Sequence, residues 1–260
     1  MNMSRQKREP PRKRHFRFTL KSGDILFYMH IPKTAGTSLF SFISEQFKPE
    51  EVFPFRGSEF ENNLNNLTPE EIGRYRFIHA HFDYTIYKLL SRKPVYITML
   101  RDPVERVFSA YQHTKMDASH RLHSEITEKN LSLKEMIDHP LAPVSNVQVG
   151  YLVGKKLRTE EFNQLSDQAK LEIAKVHLDE FAFFGITEYF NDSVELLCGT
   201  FGWEPQKDHK PLNRSLQPSQ RENITPEEIR AIEERNQLDM HIYEYARKLF
   251  RKRFRNMGAE

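Results

Sequence analysis

The chain has 260 residues, a single cysteine and nearly balanced charge, with 39 Lys and Arg against 36 Asp and Glu. That length suits one α/β domain with a sizeable core, and a net charge of +3 excludes a histone-like polycation. One cysteine excludes an intrachain disulfide and fits a reducing compartment; no stretch approaches the ~18 apolar residues of a membrane span, and no signal-peptide pattern opens the chain.

Residues 1–20 form a basic, proline-containing arm that reads as disordered and solvated, free for peripheral contact with an acidic polymer or a membrane surface. The folded domain is expected over 21–256. A strand at about 24–30 runs into His30-Ile31-Pro32-Lys33-Thr34-Ala35-Gly36-Thr37-Ser38, and a helix over 36–47 carries Leu39, Phe40, Phe42, Ile43 and Phe47 at helical spacing. A tight basic turn between a strand and a helix start is an anion site. The first-turn N–H groups lack intrahelical partners, Thr34, Thr37 and Ser38 add hydroxyls, Lys33 adds a cation, and Gly36 allows close backbone approach. The lysine stands three residues before the only glycine, whereas the nucleotide loop G-x-x-x-x-G-K-[ST] places it after the second. With no strand ending in an Mg²⁺-holding Asp, the pattern points to a phosphate-bearing donor that needs no metal, and no Cys/His cluster has zinc spacing.

A helical turn capped near Thr68 leads to a strand at 76–81. There His79 and His81 share one face, and His81 falls at the ligand-binding end if the strand is parallel to its neighbours. The strand at 95–100 ends at Arg101, followed by a helix over 103–114 with Asp102 as its cap, Pro103 at its first position and Ser109 two turns in. Arg101 and Ser109 form a second anion site. Residues 115–143 read as a loop and a short helix, 146–152 and 159–176 as helices, the second capped at Thr159. A strand over 181–187 precedes a helix through Phe201, in which Cys198 is a packed thiol. A proline-rich loop at 203–220 and one long helix from Thr225 to about Arg255 complete an α/β pattern, a mainly parallel central sheet flanked by helices around a P-loop-like core.

The two anion segments together resemble the sulfotransferases that use 3′-phosphoadenosine 5′-phosphosulfate. "HIPKTAGTS" looks like their 5′-phosphosulfate loop and "RDPVERVFSAY" like their 3′-phosphate motif. The pair Phe77-Ile78-His79-Ala80-His81-Phe82-Asp83 resembles the histidine segment of the heparan sulfate 2-O-sulfotransferase family. Asn146-Val147-Gln148, Phe184 to Glu188, and Leu238-Asp239 extend the likeness over about 24–250. The resemblance implies that Lys33 contacts the bridging oxygen and that Thr34, Ala35, Gly36, Thr37 and Ser38 hold the 5′-phosphate. It implies that Arg101 and Ser109 hold the 3′-phosphate, and that His81 is the general base, with Asp83 the alternative base or an orienting partner. His79, Asn146, Gln148, Lys210 and Arg214 are candidate contacts to the donor or the acceptor. Ala35 stands where a glycine is common in that loop, which a negative backbone angle would tolerate. The product is then adenosine 3′,5′-bisphosphate and the acceptor a carbohydrate hydroxyl, with no nucleic-acid partner. A chain with one cysteine and no anchor implies a cytoplasmic, bacterial enzyme; the oligomeric state stays open. Two rivals remain: a P-loop small-metabolite kinase needing ATP and Mg²⁺, and a non-catalytic polyanion-binding module on a degenerate enzyme fold.

Overall fold

The computed structural model describes residues 18–54, 66–140, 142, 144–156, 158–204 and 223–258. The sheet begins with β1 (Leu26–Met29), a run buried on both faces, as central parallel strands require. Beside it lie β2 (Phe77–Ala80) and β3 (Val95–Leu100), and β4 (Phe183–Ile186) adds to β3, giving the order β2-β1-β3-β4. Every pairing is parallel, with Tyr28 opposite His79 on one side and Ile97 on the other. The α/β architecture expected from alternating strands and helices, a parallel central sheet flanked by helices, is the one observed.

Around the sheet run α1 (Gly36–Ser44), the short α2 (Pro69–Ile72) and α3 (Pro103–Met116). Asp102 caps α3 by accepting from the Val104 and Glu105 N–H groups, with Pro103 at the first position. Between α3 and residue 140 lie two short helices rather than one, α4 (His123–Glu128) and α5 (Leu133–Asp138), the latter opened by a Ser132/Glu135 capping box. Then come α6 (Val147–Val153), α7 (Thr159–Gln164) and α8 (Asp167–Glu180). The single helix expected over 159–176 is thus broken: Ser166 starts a new helix by accepting from the Ala169 N–H. Thr159 is not a cap either; it lies inside α7 and donates its hydroxyl to the Lys155 carbonyl.

After β4 come α9 (Phe190–Phe201), α10 (Pro226–Arg235) and α11 (Gln237–Gly258). The expected long helix from 225 is also two. Asn236 interrupts it because its side chain is spent elsewhere, donating to the Ile232 carbonyl and accepting from the Asn146 N–H at 3.0 Å. The sheet and its helices share the main core, while α3, α4, α5 and α10 enclose a smaller one around Val104, Val107, Ile126 and Ile232. Cys198 is packed in the main core, where burial pushes its thiol up to about 11. Among the described residues no helix is long and apolar enough to cross a membrane. The basic arm as far as Arg17 and the loop bearing Lys210 and Arg214 lie outside the described residues.

Candidate active site

In a parallel sheet all carbonyl ends of the strands face one way, and ligands bind beyond them. Here the first residue past each strand, His30 after β1, His81 after β2, Arg101 after β3 and Thr187 after β4, lines one cleft of about 840 Å³. The turn from β1 to α1 contributes Lys33, Ala35, Gly36, Thr37 and Ser38, and α3 contributes Arg106, Ser109 and His113. Among the described residues lining the cleft there is no carboxylate, so its field favours anions.

The turn is strained toward that purpose. Lys33 and Ala35 both have left-handed backbones, φ 70° and 64°. The negative angle expected at Ala35 is therefore overturned. The chain must reverse within a few residues, and such turns point successive N–H groups into one concavity. Thr34 shapes the turn instead of lining the cleft: it is fully buried and donates to the Ile31 carbonyl at 2.8 Å. The first turn of α1 has no side-chain cap and no acidic residue. Burial, then the Arg101 charge, lowers the Lys33 pKa.

Arg101 ties the two motifs together. Its guanidinium donates to the Lys33 carbonyl at 3.3 Å and pairs with Glu105 at 3.5 Å and Glu188 at 4.0 Å. Gln148 grips its backbone from both sides, accepting from the Arg101 N–H and donating to its carbonyl. Gln148 is therefore placed to position Arg101 and does not line the cleft. Asn146 is also elsewhere: its side chain accepts from the Leu238 and Asp239 N–H groups and so caps α11.

The histidines form a stack. His79 Nε2 and His30 Nδ1 are 2.9 Å apart, and the His30 and His81 rings lie 4.2 Å centroid to centroid. His81 Nδ1 sits 2.8 Å from the His30 carbonyl oxygen, which can only accept, so Nδ1 carries the proton and Nε2 the lone pair. Burial lowers all three pKa values, to about 3 at His79 and well below the ordinary imidazole value at His30; at His81 the His30 carbonyl partly offsets it. His79 is 5% exposed and packs on Phe40, away from the cleft lining. Asp83 is buried and occupied, accepting from the Thr85 and Lys156 N–H groups and the Thr85 hydroxyl.

Sequence reasoning missed Arg106, His113, His120 and Thr187 as lining residues. Arg106, Ser109 and His113 recur at three- and four-residue spacing, so the helix face that places Ser109 carries the signal for the other two. His120 comes from the turn beyond α3 and has no such signal. Arg106 is fully buried, donates to the Val144 carbonyl at 3.1 Å, and lies in the field of the buried Asp239. No group of three or more His, Cys, Asp and Glu side chains among the described residues could hold a metal ion.

A parallel sheet whose carbonyl ends open onto a cationic cleft with a histidine at its wall suits the binding of an anionic ligand. The model of the sulfotransferase family matches residues 16–246, and the chain belongs to that family. Heparan-sulfate 6-O-sulfotransferase 1 of Cricetulus griseus is 26% identical over 285 residues, 93% of this chain and 71% of the relative. The Homo sapiens protein of the same name is 26% identical, with 93% and 69% covered. Heparan-sulfate 6-O-sulfotransferase 2 of Gallus gallus is 27% identical, with 92% and 70% covered. These relatives are named for 6-O transfer, not for the 2-O transfer of the family expected from the histidine segment. A solved structure, mouse sulfotransferase SULT7A1 complexed with PAP, covers 89% of this chain and 91% of its own at 14% identity, with a TM-score of 0.34.

Proposed function

We propose that this protein moves a sulfuryl group from 3′-phosphoadenosine 5′-phosphosulfate to a carbohydrate hydroxyl, with His81 as general base and Lys33 as the cation at the bridging oxygen. The observation that carries the reading is that Lys33, His81, Arg101 and Ser109 line one cleft at the carbonyl ends of the strands.

The residues fit such a donor. The uncapped first turn of α1, with Thr37 and Ser38, suits the 5′-phosphate. Arg101, held from several sides, and Ser109 suit the 3′-phosphate. The bound donor supplies a sulfur–oxygen bond whose cleavage leaves a phosphate. Lys33 and the backbone N–H groups stabilise the charge that grows on the bridging oxygen, a duty that rewards prepositioned donors in a water-poor site. The sulfuryl group carries about one negative charge, so one lysine serves where phosphoryl transfer uses metal ions. His81 Nε2 accepts the acceptor's hydroxyl proton as the new oxygen–sulfur bond forms, and its lowered pKa keeps it neutral at neutral pH. Asp83, with its oxygens already taken by three donors, is the poorer base. The relatives' names support a heparan-sulfate-type saccharide, and its 6-hydroxyl is the first acceptor to try.

The test is calorimetric titration with adenosine 3′,5′-bisphosphate, against 5′-AMP and ATP, in EDTA and in Mg²⁺. Metal-independent binding that requires the 3′-phosphate and weakens in Arg101→Ala is expected. Equal binding of 5′-AMP would sink the donor assignment, and an Mg²⁺-dependent preference for ATP would favour a kinase.

A further inference from the structure

We propose that the exposed face of α11 is a second anion-binding surface, which holds an acidic stretch of a polysaccharide chain outside the cleft. The identity of that ligand rests on the carbohydrate-acceptor reading; the surface itself does not.

Arg247, Lys248, Arg251, Lys252 and Arg255 recur at spacings that put them along one side of α11, while Ile242, Ala246, Phe250 and Met257 bury the other side in the core. Where α11 meets the start of α9 there is a concavity of about 480 Å³ lined by Lys248, Arg251 and Arg255, with the half-buried Phe254 supplying apolar surface. Asp192 is the one carboxylate in that lining. Arg247 and Arg251 both donate to the Tyr189 hydroxyl, at 3.1 and 2.9 Å, and these contacts pull the phenol pKa down. A phenol is a weak counter-group for two guanidinium forks, which match carboxylate or sulfate oxygens far better. Arg247 and Lys248 share Glu244, at 3.6 and 3.4 Å, but among the described residues Arg251, Lys252 and Arg255 form no ion pair.

Like charges one turn apart weaken a helix on their own, and a bound polyanion reverses that sign. Cations spaced by helical turns beside the Phe254 ring, in a concavity, suit a sugar ring bearing sulfate or carboxylate better than a flat bilayer. Tyr189, in that lining, follows Thr187, a cleft residue, by two positions, a separation of at most ~7 Å between their Cα atoms.

The experiment compares the wild type with Lys248→Gln/Arg251→Gln/Arg255→Gln, using a long sulfated polysaccharide and a sulfated tetrasaccharide as acceptors. For the long acceptor KM should rise about tenfold with kcat unchanged, as when a tethered second contact is lost. The tetrasaccharide KM and the affinity for adenosine 3′,5′-bisphosphate should not move. Equal effects on both acceptors, or none on the long one, would overturn the proposal. The charge-keeping variant Lys248→Arg/Arg251→Lys/Arg255→Lys should retain most of the long-acceptor advantage, which separates lost charge from misfolding.

A second arm needs no turnover. Salt-sensitive binding of the long polysaccharide to Lys33→Ala protein should survive, and should weaken when the three glutamines are added. That result supports the surface even if the transfer reading fails. Undiminished binding in that combined variant, or tighter binding of a single-stranded oligonucleotide or anionic vesicles, would overturn it.

Discussion

The smallest decisive contact is between His30 and Gly36. A Cβ at position 36 would fall 1.9 Å from His30 Nε2, and the ring cannot yield freely because it is hydrogen-bonded to His79 and stacked on His81. Gly36→Ala should therefore displace His30, whose carbonyl orients His81, as well as disturb the turn of Lys33. The expected outcome is at least a tenfold fall in kcat/KM together with weaker binding of adenosine 3′,5′-bisphosphate, at about 1.4 kcal/mol per factor of ten. Wild-type kinetics in Gly36→Ala would show that the histidine stack does not govern the site. The pH profile is the second residue-scale prediction. On the proposed mechanism neutral His81 is active, so kcat/KM should rise with pH through a midpoint below 6.5, as burial dictates. It should fall again in the alkaline range as Lys33 loses its proton below 10.5. His81→Asn should abolish the acid limb along with most activity; an unchanged limb would assign it to another group.

At the scale of elements, two helices that periodicity joins are separate because polar side chains at the breaks have better partners. At the junction of α10, α11 and α6, Asn236 accepts from the Asn146 N–H, while the Asn146 side chain accepts from the Leu238 and Asp239 N–H groups, from a left-handed backbone, φ 48°. The Asp239 carboxylate accepts from the Gln148 and Val149 N–H groups, capping α6 from α11. Gln148 then grips Arg101, so the C-terminal helix is wired to the cleft through buried polar contacts. Asn146→Ala removes the acceptor for two N–H groups of α11 and leaves a β-carbon residue in a left-handed site. It should destabilise the fold by about 1–3 kcal/mol, read from denaturant unfolding. Asn146→Gly, which keeps the backbone freedom and loses the cap, should cost less. Equal costs would mean that the cap, not the backbone angle, carries the effect.

At the scale of the molecule, the histidines also tie stability to pH. His79 is neutral when folded, with its pKa lowered to about 3, while an unfolded imidazole titrates near 6.5. As pH falls below 6.5 the unfolded chain takes up protons that the folded chain refuses, so stability is lost with acidification and is complete only above that value. His30, also held well below its ordinary value, acts in the same direction. The thermal midpoint should therefore drop progressively between pH 6.5 and about 3, and the drop should be shallower in His79→Gln. A parallel drop in both proteins would place the acid sensitivity in other groups.

What the sequence by itself determined is local. The β1 turn into α1, the capped start of α3 and the two histidines on one strand face are set by near neighbours, through periodicity, capping and turn chemistry. The α/β class followed from the alternation of apolar runs with amphipathic stretches. The family likeness was legible for the same reason, since both anion segments are contiguous. The break at Asn236, the left-handed backbone of Ala35, and the entry of His120 into the cleft were decided by the tertiary structure. So was the sorting of the marked polar residues. Asp83, Asn146 and Gln148 resemble site residues by type, but each is held by at least one backbone group far away in sequence: Lys156 for Asp83, Leu238 and Asp239 for Asn146, Arg101 for Gln148. Only packing reveals this: a polar side chain buried at a junction must find partners there, and which partners those are depends on contacts between segments 47 to 92 residues apart.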